Sequence, residues 1–229
     1  MLHVPLLEDG PRLLCPLCGQ AYPVVLGVPV VAQGPQAFVE AQGDRLEGPL
    51  DARWPAEPCA LKERVEAWLS ERSGPLLDLG CGAGLHADAR VVGLDNDAAS
   101  LRHYPGPRVL GDAHDPPFGP HSFAGVLLLN LLDSCRNPRL VLAQADALLH
   151  PRGQLLISCA YAFSGSITAE HQRFEPEQLL AGLRGDRSAL GLRLAYGVEV
   201  EDPVSWRLRS GARTVHEFQV QLIRARRLG

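Results

Sequence analysis

"LLDLGCGAGLHADARVVGLD" (residues 76–95) decides how this chain folds. Leu76–Leu79 is an apolar run that meets a glycine turn, and Val91–Asp95 is a second apolar run that ends in an acid. Short, continuous apolar runs are expected of strands buried on both faces of a parallel sheet. Gly80, Gly82 and Gly84 alternate directly after the first run, where glycine permits a tight turn and lets a ligand lie against bare backbone. The dinucleotide fingerprint G-x-G-x-x-G would need glycine where Leu85 stands. Only Leu85–Arg90 then remain before the second strand. A parallel crossover needs at least about 10–12 residues. Gly80 to Arg90 supplies 11, so the connection closes with little to spare. Its last six residues allow a helix of about 9 Å, under two turns. The expectation is a usable pocket with a thin outer wall, covered by the N-terminal segment or by another subunit.

Outward from this stretch the pattern alternates. Strands are expected near 75–79, 91–95, 108–111, 124–130 and 153–160, and helices near 59–72, 97–103, 137–150 and 175–184. "GVLLLNLL" and "LLISCAY" are again continuous apolar runs. "LRLAYGVEVED" and "RTVHEFQVQLIRA" show period-2 alternation and read as an antiparallel pair joined by "PVSWRLRSGA". The fold class is therefore α/β: a Rossmann-like, mostly parallel sheet of seven strands with an antiparallel C-terminal edge pair, plus a small N-terminal β-rich segment. The expected division is a ribbon-like segment over 1–33, a Gly/Pro-rich linker or lid over 34–57, and a main domain over 58–229.

Composition narrows the function classes. With 229 residues and 46% apolar content, the chain can bury one large core. A net charge of −4 argues against a general nucleic-acid binder, although arginines crowd the last quarter of the chain. No run of about 18 apolar residues marks a membrane span, and the first residues lack a signal-peptide pattern. Six cysteines, several inside expected strands, fit a reducing cytoplasm better than a disulfide framework.

The turn reads Asp-x-Gly-x-Gly-x-Gly, with Asp78 at the strand end, and here the sequence resembles the class I S-adenosylmethionine-dependent methyltransferases. "VVGLDND", "VLGDAHDPPF" and the stretch from Ser122 to Ser158 resemble that family's later motifs in the right order, so the resemblance covers about residues 61–160. It implies S-adenosylmethionine as cofactor. Asp78, Gly80, Cys81, Gly82 and Gly84 would cradle its methionine end. Asp95 would accept from both ribose hydroxyls, Asn96 would sit beside the adenine, and Asp112 and Ala113 would lie near the adenine amino group. Asn130 would lie where the fourth strand opens toward the methyl group. Asp133, Tyr161 and His171 are further candidates near that group, with helix capping the alternative for Asp133 and a surface loop for His171. No catalytic residue is assigned. The acid that often follows the aromatic of the fourth strand is missing, since Ala124 and Gly125 follow Phe123.

"LLCPLCGQAYPVVLGVPVV" resembles half of a zinc-ribbon module, of the kind found before some methyltransferase domains and in the activator proteins of RNA methyltransferases. Cys15 and Cys18 have the spacing of half a zinc site, but a full set would have to borrow His3, Cys59 or a second chain. Zinc is not expected; Leu14, Tyr22, Val24, Val25 and Val30 would hold the segment instead. "NLLDSCRNP" and the arginine-rich tail resemble methyltransferase domains that modify mercaptohistidine, which implies a small-molecule acceptor. The ribbon pulls toward RNA or protein, and the short crossover toward a non-catalytic assembly module. The expected reading is methyl transfer to a small molecule by a monomer or homodimer, with RNA a less favoured partner. A continuous basic surface around Arg207–Arg213 would select RNA, whereas a pocket roofed by 34–57 would select a small molecule.

Overall fold

The computed structural model describes residues 7–17, 19–25, 27–31, 54–211 and 213–228. In chain order the elements are β1 (Leu7–Asp9), β2 (Arg12–Leu14), β3 (Ala21–Val25), β4 (Val28–Pro29), β5 (Trp54–Pro55), α1 (Ala60–Ser70), β6 (Leu76–Leu79), β7 (Val91–Asp95), α2 (Ala98–Leu101), β8 (Arg108–Leu110), β9 (Phe123–Leu129), α3 (Pro138–Leu148), β10 (Leu149–Cys159), α4 (Pro176–Leu183), α5 (Arg187–Leu190), β11 (Tyr196–Gly211) and β12 (Thr214–Arg227).

The main sheet runs β5-β11-β12-β10-β9-β6-β7-β8. Neighbouring strands from β10 to β8 are parallel, and β12, β11 and β5 add antiparallel pairings. These are the seven expected strands, with the two-residue β5 laid on the outer edge. All four residues of β6 are buried, as an apolar run between two layers requires. One layer buries Val141, Leu142, Ala145 and Leu148 of α3 against β9 and β10. The other buries Leu61, Val65, Trp68 and Leu69 of α1 in a cluster with Leu76 of β6, Leu127 of β9, Leu156 of β10 and Leu222 of β12. Asn137 starts α3 by accepting the Leu140 N–H at 3.0 Å, with Pro138 in the first turn.

Two expectations change. The joining segment "PVSWRLRSGA" is not a loop: most of it belongs to the 16-residue β11, with a register shift between Glu201 and Val204. Proline is tolerated in a strand at such an irregularity, and Val204 and Leu208 beyond it are buried. The second change is at Leu85–Arg90, which forms no helix but bends and turns. Asp88 accepts the Arg90 N–H at 2.9 Å, and the Asp88 N–H is taken by His86 Nδ1 at 3.2 Å. Short polar side chains that satisfy their own backbone compete with helix in this way.

The missing helix is replaced by a ring from elsewhere. Tyr104, after α2, is buried against β7, where a Cβ on Gly93 would sit 2.7 Å from the tyrosine ring and 2.7 Å from Cys81 Sγ. Glycine inside this strand is what admits the ring. The N-terminal strands β1–β4 form a separate antiparallel sheet. Beyond β4, Val30 pairs in parallel with Leu110, and the Val31 N–H donates to the Leu110 carbonyl at 2.9 Å. Val28 and Val30 pack with Cys81, Leu101, Tyr104 and Leu110. The end of the N-terminal segment therefore joins the β8 edge and shares a cluster with Tyr104 and with Cys81 of the glycine turn.

Candidate functional site

Strand β6 hands the chain to β7 on one side and has β9 on its other side, so the carboxyl ends of β6 and β9 border the crevice where ligands settle in open α/β sheets. Two cavities lie there, and Gly80 lines both. The first, of about 190 Å³, is walled by Asp78, Cys81, Gly82, Gly84 and Asn130 and roofed by Trp206 and Leu208 of β11. The second, of about 200 Å³, is walled by Asp95, Asn96, Asp112, Ala113, Arg136 and others. All ten residues read from the sequence as cofactor contacts border one cavity or the other.

In the glycine turn, Gly82 has φ +52, and a Cβ there would meet nothing within 4 Å. Its bare backbone faces open space of the kind a ligand fills. Its N–H donates to Asp95 Oδ2 at 2.7 Å, while the Asp97 N–H donates to Asp95 Oδ1 at 2.8 Å. Burial raises the Asp95 carboxyl above its ordinary value against the pull of these two bonds. Each oxygen keeps a further lone pair for a hydroxyl donor.

Asp78 is buried to 1% exposure; its Oδ2 lies 3.3 Å from His86 Nε2, and its Oδ1 has no hydrogen-bond partner. A buried carboxylate oxygen left unpaired beside a cavity is costly unless a ligand donor meets it. Asp112 has both oxygens engaged. His114 donates to Oδ1 from its backbone N–H at 2.9 Å and from ring Nδ1 at 2.6 Å, and Arg136 donates to Oδ2 at 2.5 Å. The ring carries its proton on Nδ1 because Nε2 accepts the Asn137 N–H at 3.2 Å. Burial would raise the Asp112 carboxyl, but these donors outweigh it and hold it below its ordinary value.

Asn130 has φ +53, and its backbone N–H donates to the Ser158 carbonyl at 2.9 Å. The Ser158 hydroxyl donates to Asn130 Oδ1 at 3.0 Å, which leaves the amide N–H groups for the cavity this residue lines. Ser158, in a fully buried run, and Trp206 were not anticipated as site residues. A lone serine inside "LLISC" was the available signal for the first. The other methyl-end candidates lie outside both cavity walls. Asp133 accepts the Ala162 N–H at 3.1 Å and so secures the loop after β10, while Asn137 caps the helix. Tyr161 donates to Gln221 Oε1 at 2.5 Å, and His171 is exposed on a 3-10 turn over Glu170–Gln172. Burial pushes the Cys81 thiol well above its ordinary value and the Cys135 thiol up to about 12, so both stay protonated.

Among the described residues no cluster of three or more His, Cys, Asp or Glu could hold a metal ion. Cys18 and His3, named for zinc from the sequence, lie outside the described residues, as does most of the 34–57 lid. Cys59 is a buried thiol outside any disulfide. Among the described residues no helix is long and apolar enough to cross a membrane.

Comparison with known proteins agrees with the geometry. A family model described as a methyltransferase domain matches residues 77–157. A structure solved for the conversion of a disulfide bond into a thioacetal group during echinomycin biosynthesis is 16% identical over 82% of this chain and 91% of its own, with a TM-score of 0.55. A chain from the complex of the Haloferax volcanii Trm112 methyltransferase activator with a methyltransferase is 15% identical over 84% of this chain and 97% of its own, with a TM-score of 0.51. A SAM-dependent methyltransferase from Archaeoglobus fulgidus is 15% identical over 73% and 93%, also with a TM-score of 0.51. No curated protein matches the chain. The chain has the class I S-adenosylmethionine-dependent methyltransferase fold.

Proposed function

We propose that the protein transfers a methyl group from S-adenosylmethionine to a small-molecule acceptor. The observation that carries this reading is the pair of cavities meeting at Gly80, with the orphaned Asp78 oxygen at one end and the acids of β7 and the loop after β8 at the other. These residues fit the cofactor. Asp95 has acceptor capacity for two ribose hydroxyls, Asp112 and Ala113 border the adenine end, and Asp78 offers an unpaired acceptor to the α-ammonium group. When bound, the cofactor supplies an electrophilic methyl on a sulfonium that leaves as a neutral thioether. The chain's own contribution is alignment and exclusion of water. Trp206 and Leu208 cover the first cavity, and Asn130, fixed by Ser158, presents amide donors into it.

One further observation favours a small acceptor over RNA. Arg207 is engaged, with its guanidinium 3.7 Å from Glu217 Oε2 and donating to the Pro58 carbonyl at 3.2 Å, so it does not begin a free basic surface. Trp206 and Leu208 of β11 line the first cavity, and β5 pairs with β11 at Leu208 and Arg209, while most of the 34–57 segment lies outside the described residues. In this reading residues 58–229 are the methyltransferase domain, Trp54–Pro55 pair with β11, and Val28 and Val30 share a cluster with Cys81 of the glycine turn. Calorimetric titration with S-adenosylhomocysteine is the test. Binding that Asp95→Ala weakens at least about a hundredfold, as the loss of two hydrogen bonds to a charged group predicts, supports the reading. Wild-type protein that binds nothing overturns it.

A further inference from the structure

His86 lies in the crossover that has no helix, outside every motif that gives the fold its resemblance, yet its side chain is fully buried. Three contacts define it. Nδ1 accepts the Asp88 N–H at 3.2 Å; Nε2 lies 3.3 Å from Asp78 Oδ2 and 3.2 Å from the Tyr104 hydroxyl. A ring nitrogen that accepts an N–H carries no proton, so the proton of the neutral ring is on Nε2. The Tyr104 hydroxyl has its own acceptor in the Val91 carbonyl at 3.4 Å. The Nε2 proton is therefore directed at the tyrosine oxygen, and the same edge of the ring lies 3.3 Å from Asp78 Oδ2. The donor edge of the ring thus borders one carboxylate oxygen, while the other, Oδ1, has no hydrogen-bond partner in a residue that walls the first cavity.

We propose that His86 is a positioning residue: it holds the Asp78 carboxylate so that its free oxygen is presented to the cationic amino-acid end of the cofactor. The shortened crossover is then part of the site. Asp88 fixes the tautomer through its backbone N–H, the imidazole fixes the carboxylate, and Tyr104, admitted by Gly93, closes the cage from behind. A neutral donor suits this task. An imidazolium would offer its own cation to Asp78 and compete with the ammonium group.

This inference rests on the cofactor reading, and the two fail differently. Binding of two ligands is measured by calorimetry: S-adenosylhomocysteine, which has the amino-acid end, and 5′-methylthioadenosine, which lacks it. His86→Ala is expected to weaken S-adenosylhomocysteine about fivefold or more, the scale of about 1 kcal/mol for one polar contact, and to leave 5′-methylthioadenosine within about twofold. His86→Gln, whose amide nitrogen can stand in for Nε2, is expected to restore most of the loss. If His86→Ala weakens both ligands equally, the residue only maintains the fold and the proposal is overturned. If it weakens neither, Asp78 needs no positioning and the proposal is overturned while the cofactor reading stands. Wild-type protein that binds neither ligand removes both.

Discussion

Two crossovers, one on each side of the site, solve the same problem with different chemistry. Between β9 and β10 the chain uses an 11-residue helix, α3, capped by Asn137, whose buried face includes Val141, Leu142, Ala145 and Leu148. Between β6 and β7 there is no helix. The backbone is held by Asp88 and His86, and Arg90 donates to the carbonyls of Leu69 and Arg72, each at 3.2 Å, where α1 ends. Apolar cover there is borrowed: Leu85 packs toward α1, and Tyr104 fills the other side. Apolar burial adds up with area at about 25 cal/mol per Å², whereas each hydrogen bond contributes about 0.5–1.5 kcal/mol net. The helical crossover is thus the stability element. The other begins with Gly80–Leu85, which line the first cavity.

The largest effect expected from breaking this contrast is in α3. Leu142 is buried to 1% exposure, and Leu142→Ala should cost about 2–5 kcal/mol through lost transfer energy and a cavity. For a chain of this size, that lowers Tm by roughly 4–20 °C. The helix-free crossover should respond to overpacking instead. Gly93→Ala drives a Cβ into Tyr104 and Cys81, with an expected cost of about 1–3 kcal/mol. Adding Tyr104→Leu removes one of the two obstructions, so the double variant should lose less than the sum of the single losses. Melting curves of the three proteins decide the matter. Losses that simply add would mean that Tyr104 does not stand in for the missing helix.

The sequence displays these two regions unequally. The parallel sheet was legible because β6, β7, β9 and much of β10 are uninterrupted apolar runs, and the glycine turn because its spacing follows a strand directly. The two cavities gather the ten residues that those motifs named. What stayed hidden depends on contacts between distant parts of the chain. Asp133, Tyr161 and His171 stand in sequence as further candidates beside Asn130, and only the fold takes these three out of the cavity walls. The β11 extension was masked by Pro203, though Val204, Trp206 and Leu208 already alternate with Ser205 and Arg207. Gly93 was a readable sign, since glycine inside a buried strand announces a close neighbour. Nothing local identified that neighbour as Tyr104, eleven residues on. His86 had no periodic signal at all, because it lies in a connection with no repeating geometry.

The smallest expected effect is specific to the polar crossover and has no counterpart in α3. The Arg90 guanidinium holds the Asp88 carboxyl down at about 2, through contacts from Nε at 2.9 and 3.0 Å and a further contact from the guanidinium end. An unfolded aspartate titrates near about 3.9. A folded value below the unfolded one gives stability that is fully present above about pH 4 and is lost as pH falls toward 2. Asp88→Asn keeps an acceptor for the Arg90 N–H and removes only the charge. The gap in Tm between wild type and this variant should therefore be widest near neutrality, narrow from about pH 4 downward, and shrink in salt, because Arg90 is largely exposed. Asp112 and Asp186 are also held low and steepen the acid limb of both proteins alike, so the difference between the two curves isolates Asp88. A gap that stays constant down to pH 2 would show that this crossover is held by its neutral hydrogen bonds. The comparison with α3 would then reduce to one ring against one helix.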